Sequence, residues 1–334
     1  MILSIAVSLH WPLRQLDVSN AFLYGILKKE VYMSQPQGYT NPQNPHYMCK
    51  LHKSIYGLKQ APRAWFERFT SWLLQFGFVA STTDFSLFIY RTKTTIAYLL
   101  LYVDDIVLTS NTPTFLDQLI QHLSSVFELW DLGPLHYFLV IQVPCDSTCL
   151  NLSQAKYATT LLHKHNMFHT KPISIPCTPN TCLSLHNGAK LPDPHAYRSL
   201  VGTLHYLTFT RPDLSFAVHQ VCQYMASPTF VHLMAAKRIL RYLKGTLHLG
   251  LSFKPGPLTL FAFTNADWAG DPDDRRSNSG LLMYLGPNPI TWSAKKQLSV
   301  SRSSIESEYR ALALPQLSSV GFEHSSKTLV SSSQ

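Results

Sequence analysis

Residues 96–108 read Ile-Ala-Tyr-Leu-Leu-Leu-Tyr-Val-Asp-Asp-Ile-Val-Leu, and we expect the fold to be organised around them. Two apolar runs of strand length and strand composition flank the adjacent acids Asp104 and Asp105. This pattern predicts a β-hairpin with two carboxylates at its tip. Neighbouring carboxylates repel each other and resist desolvation, but a divalent cation with oxygen ligands makes the arrangement favourable. The alternative interpretation is an ordinary solvated acidic turn.

A third carboxylate precedes the hairpin in the chain. Residues 15–23 predict a strand that runs into a short helix, with Asp17 at the end of the strand, where side chains commonly meet ligands. Asp is also a favoured N-cap residue, so Asp17 alone could simply begin the helix. Phe22, five residues later, is either a binding-site aromatic or part of the core.

Two basic segments are candidates for contact with a polyanion. Lys59 and Arg63 lie among aromatic residues where a helix is predicted to start near Pro62 and to continue to about Phe76. A later helix carries four basic residues at helical spacing, namely Lys237, Arg238, Arg241 and Lys244. Either segment could instead be a solvated helix face. The formal net charge of +9 suits a polyanionic partner without proving one.

The remaining segments are predicted from periodicity and from turn residues. They are a helix over 114–127, a second hairpin over 138–143, a helix over 153–168 with Ser153 as its N-cap, a linker over 170–194, mostly helix over 197–245, strands within 258–285 and from 289, and a helix over 303–314.

Composition bounds the class of protein. The chain has 334 residues, of which 46% are hydrophobic, which suits a globular protein of two or three domains. No apolar run approaches the ~18 residues of a spanning helix, and no basic leader precedes an apolar segment, so we expect neither a membrane span nor secretion. None of the six cysteines forms a CxxC pair, and we interpret them as reduced thiols of an intracellular protein.

Ten segments in a fixed order give the chain its resemblance to a known family. It resembles the reverse transcriptase and RNase H region of the copia-type LTR-retrotransposon polyprotein, as found in plants, from residue 1 to about 314. The segments are QLDVSNAFLYG, VYMSQPQGY, LHKSIYGLKQAPRAW, YLLLYVDDIVL, DLGPLHYFL, YRSLVGTLHYLTFTRPDLSFAV, AKRILRYLKGT, ADWAGDPDDRRSNSG, ITWSAKKQ and SRSSIESEYRAL.

The resemblance implies an α+β fold, that of a right-hand polymerase. Its parts would be a palm with partial fingers over 1–143, a mostly helical thumb and connection over 144–255, an incomplete RNase H-like domain over 256–314, and an unmatched Ser-rich tail over 315–334. It also implies that further polyprotein segments act together with this one, and that the protein works in a cytoplasmic particle or in the nucleus.

The resemblance also implies the chemistry of the site. Asp17, Asp104 and Asp105, with the backbone carbonyl of Val18, would hold two Mg²⁺ ions, with Mn²⁺ as the alternative. Phe22 would exclude a 2′-hydroxyl and Gln60 would contact the incoming deoxynucleoside triphosphate. The hairpin of Phe138, Leu139 and Val140 would grip the primer. The partners would be an RNA template and a DNA primer, held partly by the basic residues named above.

Two departures from the family pattern bear on activity. Asn265 stands where the family carries the first RNase H carboxylate, although Asp267 follows and Glu308, or less plausibly Glu306, fits the helix glutamate. Val140 stands where the primer-grip hairpin usually has glycine. We therefore expect RNA-directed DNA polymerase chemistry with an inactive RNase H part. The alternative is a non-catalytic relic of a decayed element that at most binds nucleic acid.

Overall fold

The predicted hairpin forms the centre of a six-stranded antiparallel sheet. The structure is a computed structural model and describes residues 1–144, 149–178 and 182–313. It divides the chain into two units, which are described separately. The sheet unit comprises residues 9–135, and the helical unit comprises residues 1–8 together with the described residues from 136 onward.

The strands and helices have the following bounds in chain order. The strands are β1 (Leu13–Val18), β2 (Ile26–Ser34), β3 (Met48–Lys53), β4 (Val79–Ala80), β5 (Leu87–Arg91), β6 (Ile96–Tyr102), β7 (Asp105–Ser110), β8 (Leu129–Pro134), β9 (Tyr137–Phe138), β10 (Ile141–Gln142), β11 (Leu150–Leu152), β12 (Leu251–Phe253), β13 (Leu260–Ala266), β14 (Asn278–Leu285) and β15 (Asn288–Lys296). The α-helices are α1 (Ile2–Ser8), α2 (Ala61–Phe76), α3 (Pro113–Ser124), α4 (Ala155–Lys164), α5 (Pro194–Leu207), α6 (Ser215–Cys222) and α7 (Phe230–Gly245). Short 3-10 helices span Ala21–Tyr24 and Pro212–Leu214, and residues 304–313 are helical.

The sheet unit is built on strands in the order β4-β5-β6-β7-β1-β8, and β2 and β3 form a separate hairpin. Alternate residues of β6 and β7 point to one face, where α2 and α3 cover them. Helix α2 contributes Trp65, Phe69 and Leu73, which lie four residues apart and are fully buried. The apolar period therefore sets both which face of the sheet is covered and which face of the helix covers it.

Helix α2 begins and ends where the sequence predicts. Pro62 lies in its first turn, where its missing N–H costs no helical hydrogen bond. Gly77 ends it with φ 110, and its N–H donates to the carbonyl oxygens of Leu73 and Leu74. A left-handed residue just past the last turn is the usual place for glycine.

The helical unit has its core among α4, α5, α6 and α7. Tyr197 lies within this core, and its hydroxyl donates to the carbonyl of Val221 at 2.7 Å. The three strands β13, β14 and β15 form an antiparallel sheet in that order, and β9 pairs with β10. Within the predicted helical stretch 197–245, breaks fall near Arg211 and Ser227, between these helices.

One predicted helix is wrong in its bounds. The helix predicted over 153–168 with Ser153 as its N-cap runs only over α4, with Gln154 at the N-cap position. Ser153 instead forms an isolated bridge with Gln142, and the chain leaves the helix at Asn166, whose φ is 55. Tertiary pairing at one end and a left-handed residue at the other shorten the helix.

The mixed helix and sheet content is compatible with the predicted α+β class. None of the helices in the described parts of the chain has the length and apolar character to cross a membrane. The predicted tail over 315–334 lies outside the described residues. The other predicted domain boundaries stay predictions.

Candidate active site

Two of the three candidate carboxylates face each other across neighbouring strands. Asp17 near the end of β1 pairs in register with Asp105 at the start of β7. Asp104 lies in the turn before β7, and its carbonyl accepts from the N–H of Val18 at 3.0 Å. Asp105 therefore belongs to the strand rather than to the hairpin tip. Register and turn together bring these three acids to one edge of β1 and β7.

The three carboxylates act on one another electrostatically. Burial raises the pKa of Asp17, and the negative charge of Asp104 raises it further. Burial also raises the pKa of Asp105, with the charges of Asp104 and Asp17 adding to the effect. This mutual repulsion is the condition that a bound cation would relieve.

The donor set has the chemistry of a site for a hard cation, because carboxylate and carbonyl oxygens are the ligands that Mg²⁺ and Mn²⁺ prefer. Among the residues that the structure describes, no three acidic, histidine or cysteine side chains form a ready-made metal cluster. The three acids thus lie close enough to act on one another, but in the part of the chain that the structure describes their side chains do not form a closed set of ligands.

Neutralising one of these acids is expected to stabilise the sheet unit at neutral pH. Because the folded pKa of Asp105 is raised, its contribution to stability is complete below about pH 4 and is lost as the pH rises through the folded pKa. Asp105→Asn removes that loss and is expected to raise the free energy of unfolding by about 0.5–1 kcal/mol at pH 7, the usual cost of a like-charge cross-strand pair. Thermal melts from about pH 3.5 to about pH 7.5, with a chelator present, measure the gain.

The matched control is Asp117→Asn. Asp117 lies on α3 with a largely exposed carboxylate, 3.7 Å from the Arg14 guanidinium. Its substitution is expected to give no gain in stability that grows with pH. A constant or shrinking gain for Asp105→Asn between acidic and neutral pH would contradict the repulsion argument.

The turn between β6 and β7 is strained and externally held. Val103 has φ 56, a left-handed conformation that β-branched residues rarely adopt. Its carbonyl accepts from the indole N–H of Trp65 at 2.6 Å. Helix α2 is therefore bonded directly to the turn that carries Asp104.

The candidate nucleotide-contacting residues lie on two segments of the sheet unit. Phe22 lies in the 3-10 helix that follows β1, half-buried, with its ring centroid 4.8 Å from that of Tyr56. Gln60 occupies the N-cap position of α2, and its side chain makes no capping hydrogen bond. The partner that the ring of Phe22 touches is thus Tyr56, to which sequence analysis assigned no role.

The candidate primer-grip residues form the turn between β9 and β10 in the helical unit. Leu139 and Val140 have φ 48 and 64, the left-handed pair of a two-residue hairpin loop. The Leu139 carbonyl accepts from the hydroxyl of Tyr206 at 2.7 Å. The hairpin forms although Val140, rather than glycine, occupies the left-handed position.

Replacing Val140 by glycine is therefore expected to stabilise the hairpin. A left-handed residue with a Cβ costs roughly 1–2 kcal/mol, and glycine avoids most of it at some entropic cost, for a net gain of about 1 kcal/mol. Amide hydrogen exchange over residues 137–142, together with thermal melting, measures the gain. Val140→Ala keeps the Cβ and is expected to gain little, so equal gains from both variants would contradict the strain argument.

The candidate RNase H residues lie on the sheet of β13 to β15 and on the helix at 304–313. Asn265 is exposed on β13, and the carboxylate of Asp267 accepts from the backbone N–H of Asn278 at 2.7 Å and from its side-chain amide at 3.0 Å. The hydrogen bond from the Arg302 N–H, followed by that from Arg310, lowers the pKa of Glu306. Glu308 on the same helix is half-buried.

The basic candidates differ in how far they are already engaged. Arg63 donates to Glu67 at 2.9 Å, whereas Lys59 is exposed. On α7, Arg241 donates to the Lys171 carbonyl and Lys244 to that of Thr170, at 2.9 and 2.6 Å. Lys237 and Arg238 are half-buried on the same helix. Part of the basic face of α7 thus fastens the segment before it.

Sequence analysis assigned no role to three residues that shape the site, namely Tyr56, Trp65 and Val103. Trp65 could have been found, because its spacing from Phe69 and Leu73 marks the buried face of α2. Tyr56 immediately precedes Gly57, whose φ of 91 marks a tight turn. No local signal gives Val103 its left-handed backbone.

Comparison with known proteins places the sequence in a family. The family described as "Reverse transcriptase (RNA-dependent DNA polymerase)" matches residues 1–179. The retrovirus-related Pol polyprotein from transposon RE1 of Arabidopsis thaliana is 51% identical over 314 residues, covering 94% of this chain and 21% of that protein. The corresponding polyprotein from transposon TNT 1-94 of Nicotiana tabacum is 38% identical over 324 residues, covering 93% of this chain and 24% of the relative.

A shorter relative aligns along almost its whole length. A transposon Ty5-1 protein of Saccharomyces cerevisiae is 31% identical over 298 residues, covering 88% of this chain and 97% of that protein. The chain spans about a fifth of the length of the RE1 polyprotein that it matches. The chain therefore belongs to the reverse transcriptase family, in its copia-type retrotransposon branch.

Proposed function

We propose that the sheet unit performs RNA-directed DNA polymerisation by nucleotidyl transfer. The observation that carries the proposal is the register of Asp17 with Asp105, together with the effect of Asp104 on both. Asp17 and Asp105, whose pKa values burial and the charge of Asp104 raise, favour a divalent cation beside them. The substrates would be deoxynucleoside triphosphates, with an RNA template and a DNA primer.

Asp17, Asp104 and Asp105 would hold two Mg²⁺ ions, with the Val18 carbonyl as a further ligand and Mn²⁺ as the alternative metal. When bound, such ions lower the pKa of the primer 3′-hydroxyl and neutralise charge on the transferred and leaving phosphates. The chain's own contribution is positioning. The bond from Trp65 to the Val103 carbonyl and the bond from the Val18 N–H to the Asp104 carbonyl fix the carboxylates against β1.

In this proposal the named parts of a right-hand polymerase map onto the chain as the resemblance implies. The palm with partial fingers covers 1–143, and the thumb and connection cover 144–255. Phe22 and Gln60 would face the nucleotide, and the hairpin of Phe138, Leu139 and Val140 would face the primer. Lys59 is exposed and suited to phosphate contact.

We infer that the RNase H-like part over 256–314 does not cleave RNA. Asn265 keeps a carbonyl oxygen but lacks the negative charge that a two-metal site requires. The carboxylate of Asp267 is already engaged with Asn278, and that of Glu306 with Arg310. This leaves Glu308 as the one candidate carboxylate in this region without a described hydrogen bond.

Primer extension tests the polymerase proposal. Purified chain is incubated with an RNA template, a DNA primer, deoxynucleoside triphosphates and Mg²⁺, beside Asp104→Asn and the control Asp117→Asn. We expect extension by the wild type and the control, and a loss of at least about 10²-fold in Asp104→Asn. Equal extension by Asp104→Asn would refute the role of the carboxylates.

The second candidate function is nucleic-acid binding by a non-catalytic relic. Asn265 and the strained Val140 favour it, because each departs from a feature that activity uses. It predicts an RNA–DNA hybrid affinity that falls steeply with salt, with no extension by folded wild-type protein. Extension that depends on Asp104 would reject it.

A further inference from the structure

Tyr56 and Phe22 form a pair of rings at the edge of the sheet unit. Their centroids lie 4.8 Å apart with the ring planes tilted by 54°. Phe22 is half-buried and packs against the core, whereas Tyr56 is 54% exposed. One ring is thus held by the core and touches a second ring that faces solvent.

The loop that carries Tyr56 is fastened to the turn that carries Phe22. The hydroxyl of Ser54 donates to the Phe22 carbonyl, and the Ser54 N–H donates to the Gly25 carbonyl at 2.8 Å. Ser54 is fully buried, and a Cβ on Gly25 would lie 2.5 Å from its hydroxyl oxygen. Only glycine allows this approach, so the position of the loop relative to Phe22 is built into the fold.

The same loop leads into the helix that bonds the carboxylate turn. After Tyr56 the chain turns at Gly57 and enters α2, where the Trp65 indole bonds the Val103 carbonyl. Helix α2 therefore connects to both features: Tyr56 lies on the loop that leads into it, and its Trp65 bonds the turn that carries Asp104. A fixed position of the Phe22 and Tyr56 rings relative to Asp104 is required if either ring is to discriminate between substrates held at the carboxylates.

We propose that Tyr56 is a positioning residue that sets sugar selectivity, because it holds the ring of Phe22 in place against an incoming deoxynucleoside triphosphate. The inference rests on the proposed polymerase function and deepens it. The core covers only part of the Phe22 ring, so contact with the Tyr56 ring is expected to limit rotation of Phe22 away from an added 2′-hydroxyl. An aromatic contact of this kind is strong enough to change selectivity by about 3- to 10-fold.

The ring contact, rather than the phenol oxygen, carries the argument. Tyr56→Phe keeps the ring and is expected to keep selectivity, whereas Tyr56→Ala is expected to lose it. The matched control is Tyr39→Ala, which removes an 83% exposed tyrosine from another loop of the same unit. Because Tyr56 is exposed, its truncation is expected to leave the fold intact, which thermal melting verifies.

The test uses the full chain bound to an RNA template and a DNA primer that ends in a dideoxynucleotide, so that no turnover is needed. Affinities for dCTP and for CTP, which differ only in the 2′-hydroxyl, are measured with Mg²⁺ for the wild type and the three variants, and primer extension is run in parallel. We expect the ratio of the affinity for dCTP to that for CTP to fall about 3- to 10-fold in Tyr56→Ala alone.

The outcomes separate this inference from the polymerase proposal. An unchanged ratio in Tyr56→Ala would overturn the inference even where the wild type extends the primer. A ratio lost in Tyr56→Ala and kept in Tyr56→Phe would support it even where the wild type does not extend the primer. A wild type that binds neither nucleotide, or binds both equally, would overturn it as well.

Discussion

Replacing Trp65 by alanine is expected to cost the sheet unit about 3–5 kcal/mol, the usual range for removing a buried tryptophan. Trp65 is 1% exposed, and its ring centroid lies 5.1 Å from that of Phe69 and 5.5 Å from that of Phe127. The substitution leaves a cavity among these rings. It also leaves the Val103 carbonyl without the indole donor that holds the strained turn.

Trp65→Phe separates the two effects. It keeps most of the packed ring but removes the N–H, so the loss expected is about 1–2 kcal/mol, the combined cost of a hydrogen bond and a small volume change. The turn that carries Asp104 should open more often in both variants. Hydrogen exchange by mass spectrometry on the full chain measures this as faster exchange over residues 102–106.

The helical unit supplies the internal control for this experiment. Trp65 makes its described contacts within residues 9–135, so exchange over α5 to α7 should stay unchanged. A Trp65→Ala protein that melts and exchanges like the wild type would show that the tryptophan does not hold the turn.

Local sequence patterns were sufficient for the hairpin and for the elements that flank it. The apolar runs on either side of Asp104 and Asp105 predict β6 and β7, and Pro62 with Gly77 brackets α2. These features depend on residues that are neighbours in the chain. The family resemblance adds that Asp17 belongs with the pair.

The arrangement of the site depends on pairings that no local pattern encodes. Asp17 meets Asp105 because β1 inserts between β7 and β8, and the two residues are 88 positions apart in the printed sequence. The left-handed backbone of Val103 depends on a bond from a helix 38 positions earlier in the chain. Non-local contacts of this kind are visible only in the folded structure.

The hydrogen-bond partners of the basic residues on α7 are likewise not encoded by the local sequence pattern. The spacing of Lys237, Arg238, Arg241 and Lys244 predicts a shared face on α7, and they do lie on that helix. Two of them, Arg241 and Lys244, donate to the backbone carbonyls of Lys171 and Thr170, which lie elsewhere in the chain. Helical period can assign a side to a residue but cannot assign its partner.

Removing the carboxylate of Asp213 is expected to cost the helical unit about 3 kcal/mol. The Arg211 guanidinium is 3% exposed and donates to both Asp213 oxygens at 2.9 and 2.7 Å. It also bonds the Thr246 carbonyl at 2.9 Å, which joins the segment before α6 to the end of α7. Asp213→Ala leaves this buried cation without its counter-ion, which typically costs 3–5 kcal/mol, and the one-third exposure of Asp213 favours the low end.

The Arg211–Asp213 ion pair should also make the stability of the helical unit depend on pH in the acidic range. Burial alone would raise the pKa of Asp213, but the hydrogen bonds and charge of Arg211 outweigh it and lower the pKa. The stabilisation is therefore present above the unfolded pKa of about 4 and is lost as the pH falls through the lowered folded pKa. Thermal melts of wild type and Asp213→Ala should converge below about pH 4.

A double variant decides whether the charge or the packing is responsible. Arg211→Met with Asp213→Ala removes the buried cation together with its partner, and apolar replacement of a buried ion pair is often neutral or stabilising. We expect the double variant to recover most of the stability that Asp213→Ala loses at pH 7. A double variant as unstable as Asp213→Ala would instead assign the loss to hydrogen bonds, namely the one from Tyr242 to Asp213, which both variants remove, and the one from Arg211 to Thr246, which the double variant also removes.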